Sequence, residues 1–210
     1  KMNINSEDVT AAASTKWNFV PATPGLVGGH CIAVDPYYLI NKAQEVDVVP
    51  SLLSTAREVN EQMAVWMAGK IKNASESRKF KAPETNVLIL GFSFKPDSDD
   101  IRNTKVADLY INLVGAGYKT TLYDPLVDVK EVKEEYNIKV TDDPKVLEKE
   151  YQIVVIGKSE MVIIVVSLLS NKDNVDECYE LGVNDYITKP IIKARLTSSL
   201  DAHLNSLARG

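Results

Sequence analysis

The sequence predicts an α/β fold class, with a helical segment followed by a doubly wound, mostly parallel sheet. Two patterns indicate this. After Pro50 apolar residues recur with the helical period, whereas from residue 86 onward short apolar strands alternate with helical stretches. The chain has 210 residues, 45% hydrophobic and 25% charged. That composition is ordinary for a folded protein and excludes disorder or a collagen-like structure as the main state.

Residues 1–76 are expected to form a helical domain. A short helix is predicted at 6–13, and the prolines and glycines of 21–29 predict an irregular loop around Cys31. A helix of about 20 residues follows Pro50 by its 3.6-residue period. Its apolar face consists of Leu52, Ala56, Val59, Met63, Trp66 and Lys70, widened by Leu53, Met67 and Ile71. This face could pack against another helix or a second subunit, or it could be part of an ordinary core.

Residues 84–210 are expected to form a Rossmann-like α/β domain, separated from the first by a polar linker at 74–84. Strands are predicted at 87–91, 119–123, 138–140, 153–156, 162–169 and 185–188, and helical segments at 106–114, 129–136, 146–150, 174–181 and 191–208.

The connection between Ile156 and Val162 is too short for a parallel crossover, which needs about a dozen residues. Either the two runs pair antiparallel, or one is not a strand, or the chain joins pieces from different origins.

Composition also limits the partners. With a net charge of −5 and a pI near 5.2, the chain is not expected to bind nucleic acid. Its longest apolar run, 161–169, is too short to span a membrane. Cys31 and Cys178 stand too far apart in sequence for a zinc motif or a disulfide framework, so we expect no metal site and a cytoplasmic location.

Two segments carry residues suited to chemistry. Cys31 follows Gly28 and Gly29, whose small size lets a ligand approach, and a thiolate there would be a nucleophile, with Asp35 near enough to orient water. A loop cysteine is, however, more often a small buried hydrophobe. After the first sheet strand, at the edge where α/β sheets bind ligands, Lys95 and Arg102 could pair with phosphates.

That second segment has an ordinary explanation as well. Its carboxylates could hold the two cations, or the segment could be a solvated loop ending in a helix cap at Asn103 or Thr104. It contains no G-x-G-x-x-G sequence and therefore no dinucleotide-binding fingerprint.

Several motifs together resemble the nucleotide-sugar 6-dehydrogenases, the UDP-glucose/GDP-mannose dehydrogenase family. The run Gly-Gly-His-Cys-Ile-Ala-Val-Asp-Pro-Tyr-Tyr at 28–38 resembles the active-site segment of the branch that acts on UDP-N-acetylhexosamines. The other matching stretches are 17–19, 24–27, 56–61, 90–97, 100–104 and 123–125, so the resemblance covers roughly residues 3–157.

The resemblance implies a chemistry, oxidation of a UDP-sugar C6 alcohol to a carboxylate with NAD. Cys31 would form a thiohemiacetal and then a thioester, and Asp35 would assist hydrolysis. Arg102 would reach the cofactor pyrophosphate. Substrate contacts would come from Phe19, Gly28, Gly29, Tyr37 and Lys95. The helix at 51–71 would form a homodimer.

Two departures modify this expectation. No stretch resembles the family's N-terminal NAD-binding domain, so the chain alone is expected to be inactive. From 162 onward, Ser167 and the run 180–190 resemble the last part of a response-regulator receiver domain, although Gly157 occupies the phosphoacceptor position. A chimera is therefore expected. The alternatives are a non-enzymatic α/β module and a receiver-type signalling domain without its acceptor.

Overall fold

The computed structural model describes residues 4, 6–21, 25–95, 97–157, 162–167, 183, 185–188 and 198. Three helices come first, followed by a sheet whose strands alternate with two further helices. The helices are α1 (Ser6–Ala13), α2 (Cys31–Glu45), α3 (Ser51–Ser77), α4 (Lys105–Gly115) and α5 (Val129–Tyr136), and short 3₁₀ turns cover Ala82–Glu84 and Pro144–Glu148. The strands are β1 (Asn86–Leu90), β2 (Lys119–Tyr123), β3 (Val140–Thr141), β4 (Ile153–Ile156), β5 (Val162–Ser167) and β6 (Asp185–Thr188).

The six described strands form one sheet in the order β3-β2-β1-β4-β5-β6. All neighbours run parallel except β4 and β5. The mostly parallel α/β sheet expected from the sequence is therefore confirmed. Because β1 lies between β2 and β4, the loop that follows it opens at the point where the strand order reverses, and ligands bind at such points in open α/β sheets.

The awkward join after β4 has a simple explanation. β4 and β5 pair antiparallel, with Ile153 opposite Val165 and Ile156 opposite Val162. A five-residue connection is sufficient for an antiparallel pair, which needs no crossover helix. The first of the three alternatives is thus the one observed.

Alternating strand residues build two cores, one on each sheet face. Val87 and Ile89 pack with α3 and α4 in the larger cluster, whereas Leu88 packs with Val154 and Ile164 on the opposite face. Ala64, Met67 and Ile71 of α3 belong to the larger cluster too. The long helix and the sheet therefore share one apolar core.

The structure corrects two expectations about the first 84 residues. Cys31 does not lie within an irregular loop, because it is the first residue of α2, with Pro36 inside the helix. Furthermore, α3 has 27 residues and runs to Ser77, so the segment predicted as a polar linker begins as helix with Ala74 and Ser75 buried. The helical period of apolar residues did not predict where α3 ends, because polar residues interrupt the apolar pattern there.

The face of α3 predicted by its period is only partly buried. Arg57, Ala64, Met67 and Ile71 point inward, whereas Leu52 is 85% exposed. The exposed stripe, defined here as Leu52, Ala56, Val59 and Trp66, remains uncovered in the single chain. The ordinary core-helix interpretation is therefore wrong for this stripe.

Much of the last third lies outside the described residues, including Cys178, the predicted helix at 174–181, most of the predicted helix at 191–208 and part of the receiver-like run 180–190. The predicted strand at 185–188 is confirmed as β6, parallel to β5. In the part of the chain that is described, no helix combines the length and the apolar character that crossing a bilayer requires.

Candidate functional site

Two glycines bring the chain before Cys31 against the loop that follows β1. A side chain at Gly28 would stand 2.6 Å from the carbonyl oxygen of Asn103, and one at Gly29 would stand 2.8 Å from the ring of Phe94. Gly29 also has φ +89°, a left-handed conformation that residues with a Cβ rarely adopt. The glycines serve a close contact between two segments of this chain, and their contact with substrate, implied by the resemblance, stays a prediction.

Backbone and side-chain hydrogen bonds hold this contact. The Gly29 N–H donates to the carbonyl of Arg102 at 3.1 Å, and the Asn103 amide donates to the carbonyl of Gly29 at 3.3 Å. Asn103 has φ +52°, which asparagine tolerates better than most residues. The segment that ends in Cys31 is thereby fixed beside Arg102.

Cys31 is exposed and unpaired, so its sulfur does not lie in a sealed interior. Asp35 follows one helical turn later and is also exposed. The first N–H groups of a helix have no intrahelical partner and favour negative charge. An anion formed on or next to the Cys31 sulfur would therefore face favourable dipoles.

The two cations of the β1 loop are both exposed. Arg102 makes a two-pronged ion pair with Asp100, with its Nε and Nη2 at 2.8 and 2.6 Å from the carboxylate oxygens. The hydrogen bonds from Arg102 lower the pKa of Asp100 from 3.8 to about 2. Lys95 Nζ lies 5.3 Å from the centre of the Phe94 ring. Both side chains can reach an anion in solvent.

A buried carboxylate at the end of β2 anchors this loop. Asp124 is 4% exposed and accepts hydrogen bonds from the backbone N–H groups of Phe92 at 2.7 Å and Leu126 at 2.9 Å. Thr104 donates to the Phe92 carbonyl at 2.6 Å and caps α4 by accepting from Val106. The sequence had left the cap open between Asn103 and Thr104, and the structure assigns it to Thr104.

An ionic network lies behind the Cys31 helix. Arg57 pairs with Glu61 at 2.8 Å, Glu61 pairs with Lys105, and Lys105 pairs with Asp108 at 3.0 Å. Burial would raise the pKa of Glu61, but hydrogen bonds and charge from Lys105 and Arg57 lower it overall. Burial would likewise lower the pKa of Lys105, but its two carboxylate partners raise it. Glu61 and Lys105 therefore face each other as a charged pair at neutral pH.

This network borders a cleft of about 380 Å³ between α2, α3 and α4. Its lining comprises Ala33, Val34, Tyr37, Glu61, Asn103, Thr104, Lys105, Asp108 and Tyr136. The Tyr136 hydroxyl donates to the Ile101 carbonyl at 2.6 Å, and burial raises the pKa of this phenol to about 12. Cys31 does not line the cleft, although α2 contributes three of the lining residues.

The predicted site residues are only partly brought together. Gly28, Gly29 and Arg102 are in contact, and Cys31 follows directly. Tyr37 contacts Arg57, with the guanidinium 5.4 Å from its ring centre, and its contact with substrate stays a prediction. Phe19 is 40% exposed, and within the described residues its recorded hydrogen bond is local, to Lys16.

Sequence reasoning missed Asn103, Asp124 and Arg57. The hydrogen-bond partners of Asn103 and Asp124 are distant in sequence, so the spacing of residues gave no signal for these two. Arg57 and Glu61 do stand four residues apart, a spacing that favours ion pairs on a helix. Among the residues that the structure describes, no group of three or more potential ligands could hold a metal ion.

Comparison with protein families gives two matches. Residues 1–62 match the central domain of the UDP-glucose/GDP-mannose dehydrogenase family, and residues 88–166 match its UDP binding domain. The second match continues past the join at 158–162 into the stretch expected to resemble a receiver. Nothing in these comparisons supports the receiver resemblance, which stays a prediction.

Individual relatives agree with the family matches. The chain is 39% identical over 160 residues to UDP-N-acetyl-D-glucosamine 6-dehydrogenase from Salmonella typhi, covering 76% of this chain and 38% of that protein. It is also 39% identical over 144 residues to the enzyme of that name from Pseudomonas aeruginosa, covering 69% and 34%. The chain thus spans little more than a third of these relatives.

A solved structure supports the same assignment. The UDP-D-ManNAc dehydrogenase from Pyrococcus horikoshii superposes with a TM-score of 0.61 at 27% identity, over 74% of this chain and 34% of that one. Fold, motifs and relatives therefore agree: the chain carries the central and UDP-binding domains of the UDP-glucose/GDP-mannose dehydrogenase family.

Proposed function

We propose that this chain binds a UDP-N-acetylhexosamine and supplies the nucleophile that helps oxidise its C6 alcohol to a carboxylate. The observation that carries the proposal is the contact between Gly29 and Arg102–Asn103. It holds an exposed thiol at a helix start beside a loop with two exposed cations at the carboxyl edge of the sheet. The relatives named for UDP-N-acetyl sugars support this substrate class.

The proposed chemistry uses Cys31 to retain a reactive aldehyde. Two successive NAD molecules, when bound, would supply the hydride acceptors, the first for the alcohol and the second for the thiohemiacetal. Between these oxidations the Cys31 sulfur adds to the aldehyde carbon, the carbonyl electron pair moves to oxygen, and a thiohemiacetal forms. Loss of the second hydride gives a thioester. Water then adds to the thioester carbon, the C–S bond breaks, and the thiol is restored as the carboxylate leaves.

Asp35 is proposed to position the hydrolytic water. It lies one turn after Cys31 on the same helix and is exposed to solvent. The free N–H groups at the start of α2 favour the oxyanion of each tetrahedral intermediate.

For the cofactor, Arg102 is the residue that the family resemblance places at the pyrophosphate. Its guanidinium is exposed and forked, which suits a pyrophosphate, although Asp100 holds it in the absence of an anion. One arginine does not make a dinucleotide site. We therefore propose that these residues alone form no NADH and that a complementary NAD-binding domain restores turnover.

We also propose that the exposed stripe of α3 forms a homodimer. Leu52 is 85%, Val59 57% and Trp66 53% exposed, a large apolar surface for one helix. Exposed apolar patches of this kind usually mark an interaction site. The resemblance of this helix to the family's dimerisation helix supports a second copy of the chain as the partner.

Calorimetric titration tests the substrate proposal. UDP-N-acetylglucosamine should bind, and Lys95→Ala should weaken binding by about tenfold or more, because a charged hydrogen bond to phosphate contributes about 1.5–3 kcal/mol. Lys72→Ala is the matched control, since Lys72 is exposed on α3 and paired with Glu76. An absence of heat at millimolar ligand, with an intact circular dichroism spectrum, would contradict the proposal.

A further inference from the structure

The Cys31 helix contains a defect that a residue from another helix repairs. Pro36 lies inside α2 and has no N–H, so it cannot donate to the carbonyl of Ile32 as an ordinary helical residue would. The Nη1 of Arg57 donates to that carbonyl at 3.2 Å. The bond falls in the turn that carries Cys31 and Asp35.

Arg57 is itself firmly held. It is 7% exposed, its Nη2 donates to Glu61 at 2.8 Å, and its guanidinium lies over the Tyr37 ring at 5.4 Å. Ordering an arginine in this way restricts a long side chain, and a buried arginine without its partners is costly. These contacts therefore fix where the Ile32 carbonyl can stand.

Glu61 extends the connection to the sheet domain. It accepts from Lys105, which begins α4 three residues after Arg102 and also pairs with Asp108. The turn with Cys31 is thus tied through Arg57 and Glu61 to the segment with Arg102. This route is independent of the Gly29–Asn103 contact.

We infer that Arg57 is a positioning residue: it replaces the helical hydrogen bond that Pro36 removes and thereby sets the placement of Cys31 and Asp35 relative to Arg102. The inference rests on the proposed function only in giving Cys31 and Asp35 a role in the reaction. The geometric part concerns α2 itself and can be tested without substrate.

Hydrogen exchange on the whole chain tests the geometric part. Arg57→Met removes the donors and keeps the apolar stem, so exchange in α2 should accelerate about tenfold or more while exchange in β2 and α5 stays unchanged. Pro36→Ala restores an N–H for the Ile32 carbonyl and should return most of the lost protection to the Arg57→Met protein. Unchanged exchange in α2 of Arg57→Met would overturn the inference.

A control separates this rescue from a general gain in helix stability. Asn41→Ala raises helix propensity in α2 without supplying a donor to Ile32, so it should not rescue Arg57→Met. Equal rescue by both variants would overturn the inference. If Arg57→Met does not fold, a folded Arg57→Met, Pro36→Ala double variant supports the inference. If the double variant does not fold either and Arg57→Lys leaves α2 exchange unchanged, the inference is contradicted.

A second readout reports on the thiol. In a Cys178→Ala background, the alkylation rate of Cys31 by iodoacetamide should change about threefold or more in Arg57→Met and return with Pro36→Ala. A rate equal to that of the parent protein in all variants would contradict a positioning role. If the parent protein does not bind UDP-N-acetylglucosamine but α2 exchange in Arg57→Met accelerates as expected, the result counts against the proposed function alone.

Discussion

Gly29 determines how closely the Cys31 segment approaches the loop after β1. Its φ of +89° and the nearby Phe94 ring leave no room for a Cβ. Asn103 complements it from the other side by donating to the Gly29 carbonyl. At the scale of single residues, the site therefore depends on backbone contact rather than on long side chains.

Gly29→Ala should destabilise the protein by about 1–3 kcal/mol, since it combines backbone strain with a clash. Gly69→Ala is the control, because a Cβ there meets nothing within 4 Å and alanine suits a helix better. Denaturant unfolding measures both. A Gly29→Ala protein as stable as the parent would show that the close contact is not needed.

The Asp100–Arg102 pair predicts a pH dependence. Because the pKa of folded Asp100 is lowered from 3.8 to about 2, its contribution to stability is complete above 3.8 and is lost as the pH falls toward 2. Arg102→Gln should return the pKa of Asp100 toward 3.8. Carbon-13 NMR titration of the carboxyl group measures this, and an unchanged pKa in the variant would refute the assigned pairing.

Single residues also show what the sequence could reveal. The segment with Gly28, Gly29 and Cys31 could be recognised from the sequence, because the residues of a motif lie close together along the chain. The helix that begins at Cys31 could not be predicted, because the prolines and glycines before it and Pro36 within it are signals for irregular structure. Arg57 provides the missing hydrogen bond from 25 residues away.

At the scale of elements, the end of β2 organises the end of β1. Asp124 accepts from the N–H groups of Phe92 and Leu126; the first bond is buried and the second is partly buried. Such buried donors are costly to leave without an acceptor. The placement of the loop with Lys95 thus depends on the neighbouring strand.

Asp124→Asn places an amide where one carboxylate oxygen accepts, and we expect a loss of about 1–3 kcal/mol in unfolding free energy. Asp128→Asn is the matched control, since Asp128 caps α5 and asparagine caps helices equally well. Denaturant unfolding with hydrogen exchange of the β1 loop measures the difference. Equal stability of the two variants would contradict the anchoring role.

The exposed stripe of α3 predicts a dimer that single charges disrupt. Leu52→Glu should raise the dimer dissociation constant about tenfold or more without destabilising the monomer, because Leu52 is 85% exposed. Asn73→Glu, at an exposed position on α3 outside the stripe, serves as control. Sedimentation velocity measures both proteins. A parent protein that stays monomeric at high concentration would refute the dimer.

Elements differ in how well their sequence predicted them. β2, α5 and β4 begin and end at the residues predicted from the apolar pattern. The sequence left the orientation of β5 open, because an apolar run does not encode the direction of a strand. Only the length of the connection from β4 favoured the antiparallel pair. The period of α3 could not tell which part of its apolar face is core, because the period is compatible with either a core or a partner. Met67 and Ile71 are buried, whereas the stripe is exposed.

At the scale of the whole molecule, the long helix and the sheet form one structural unit. Met67 and Ile71 of α3 share a core with Val87 of β1 and Leu109 of α4. The predicted boundary between 1–76 and 84–210 remains a prediction about folding units. A common core explains how Cys31 and Arg102, 71 positions apart in number, keep a fixed relation.

Protection of the thiol by substrate tests the central claim most directly. UDP-N-acetylglucosamine should slow alkylation of Cys31 by iodoacetamide in a saturable manner, by about tenfold at saturation, while GDP-mannose should not. Peptide mass spectrometry reads Cys31 and Cys178 in the same sample, and Cys178 should react at an unchanged rate. If millimolar UDP-N-acetylglucosamine leaves the Cys31 rate unaltered in folded protein, the thiol does not lie in a UDP-sugar site.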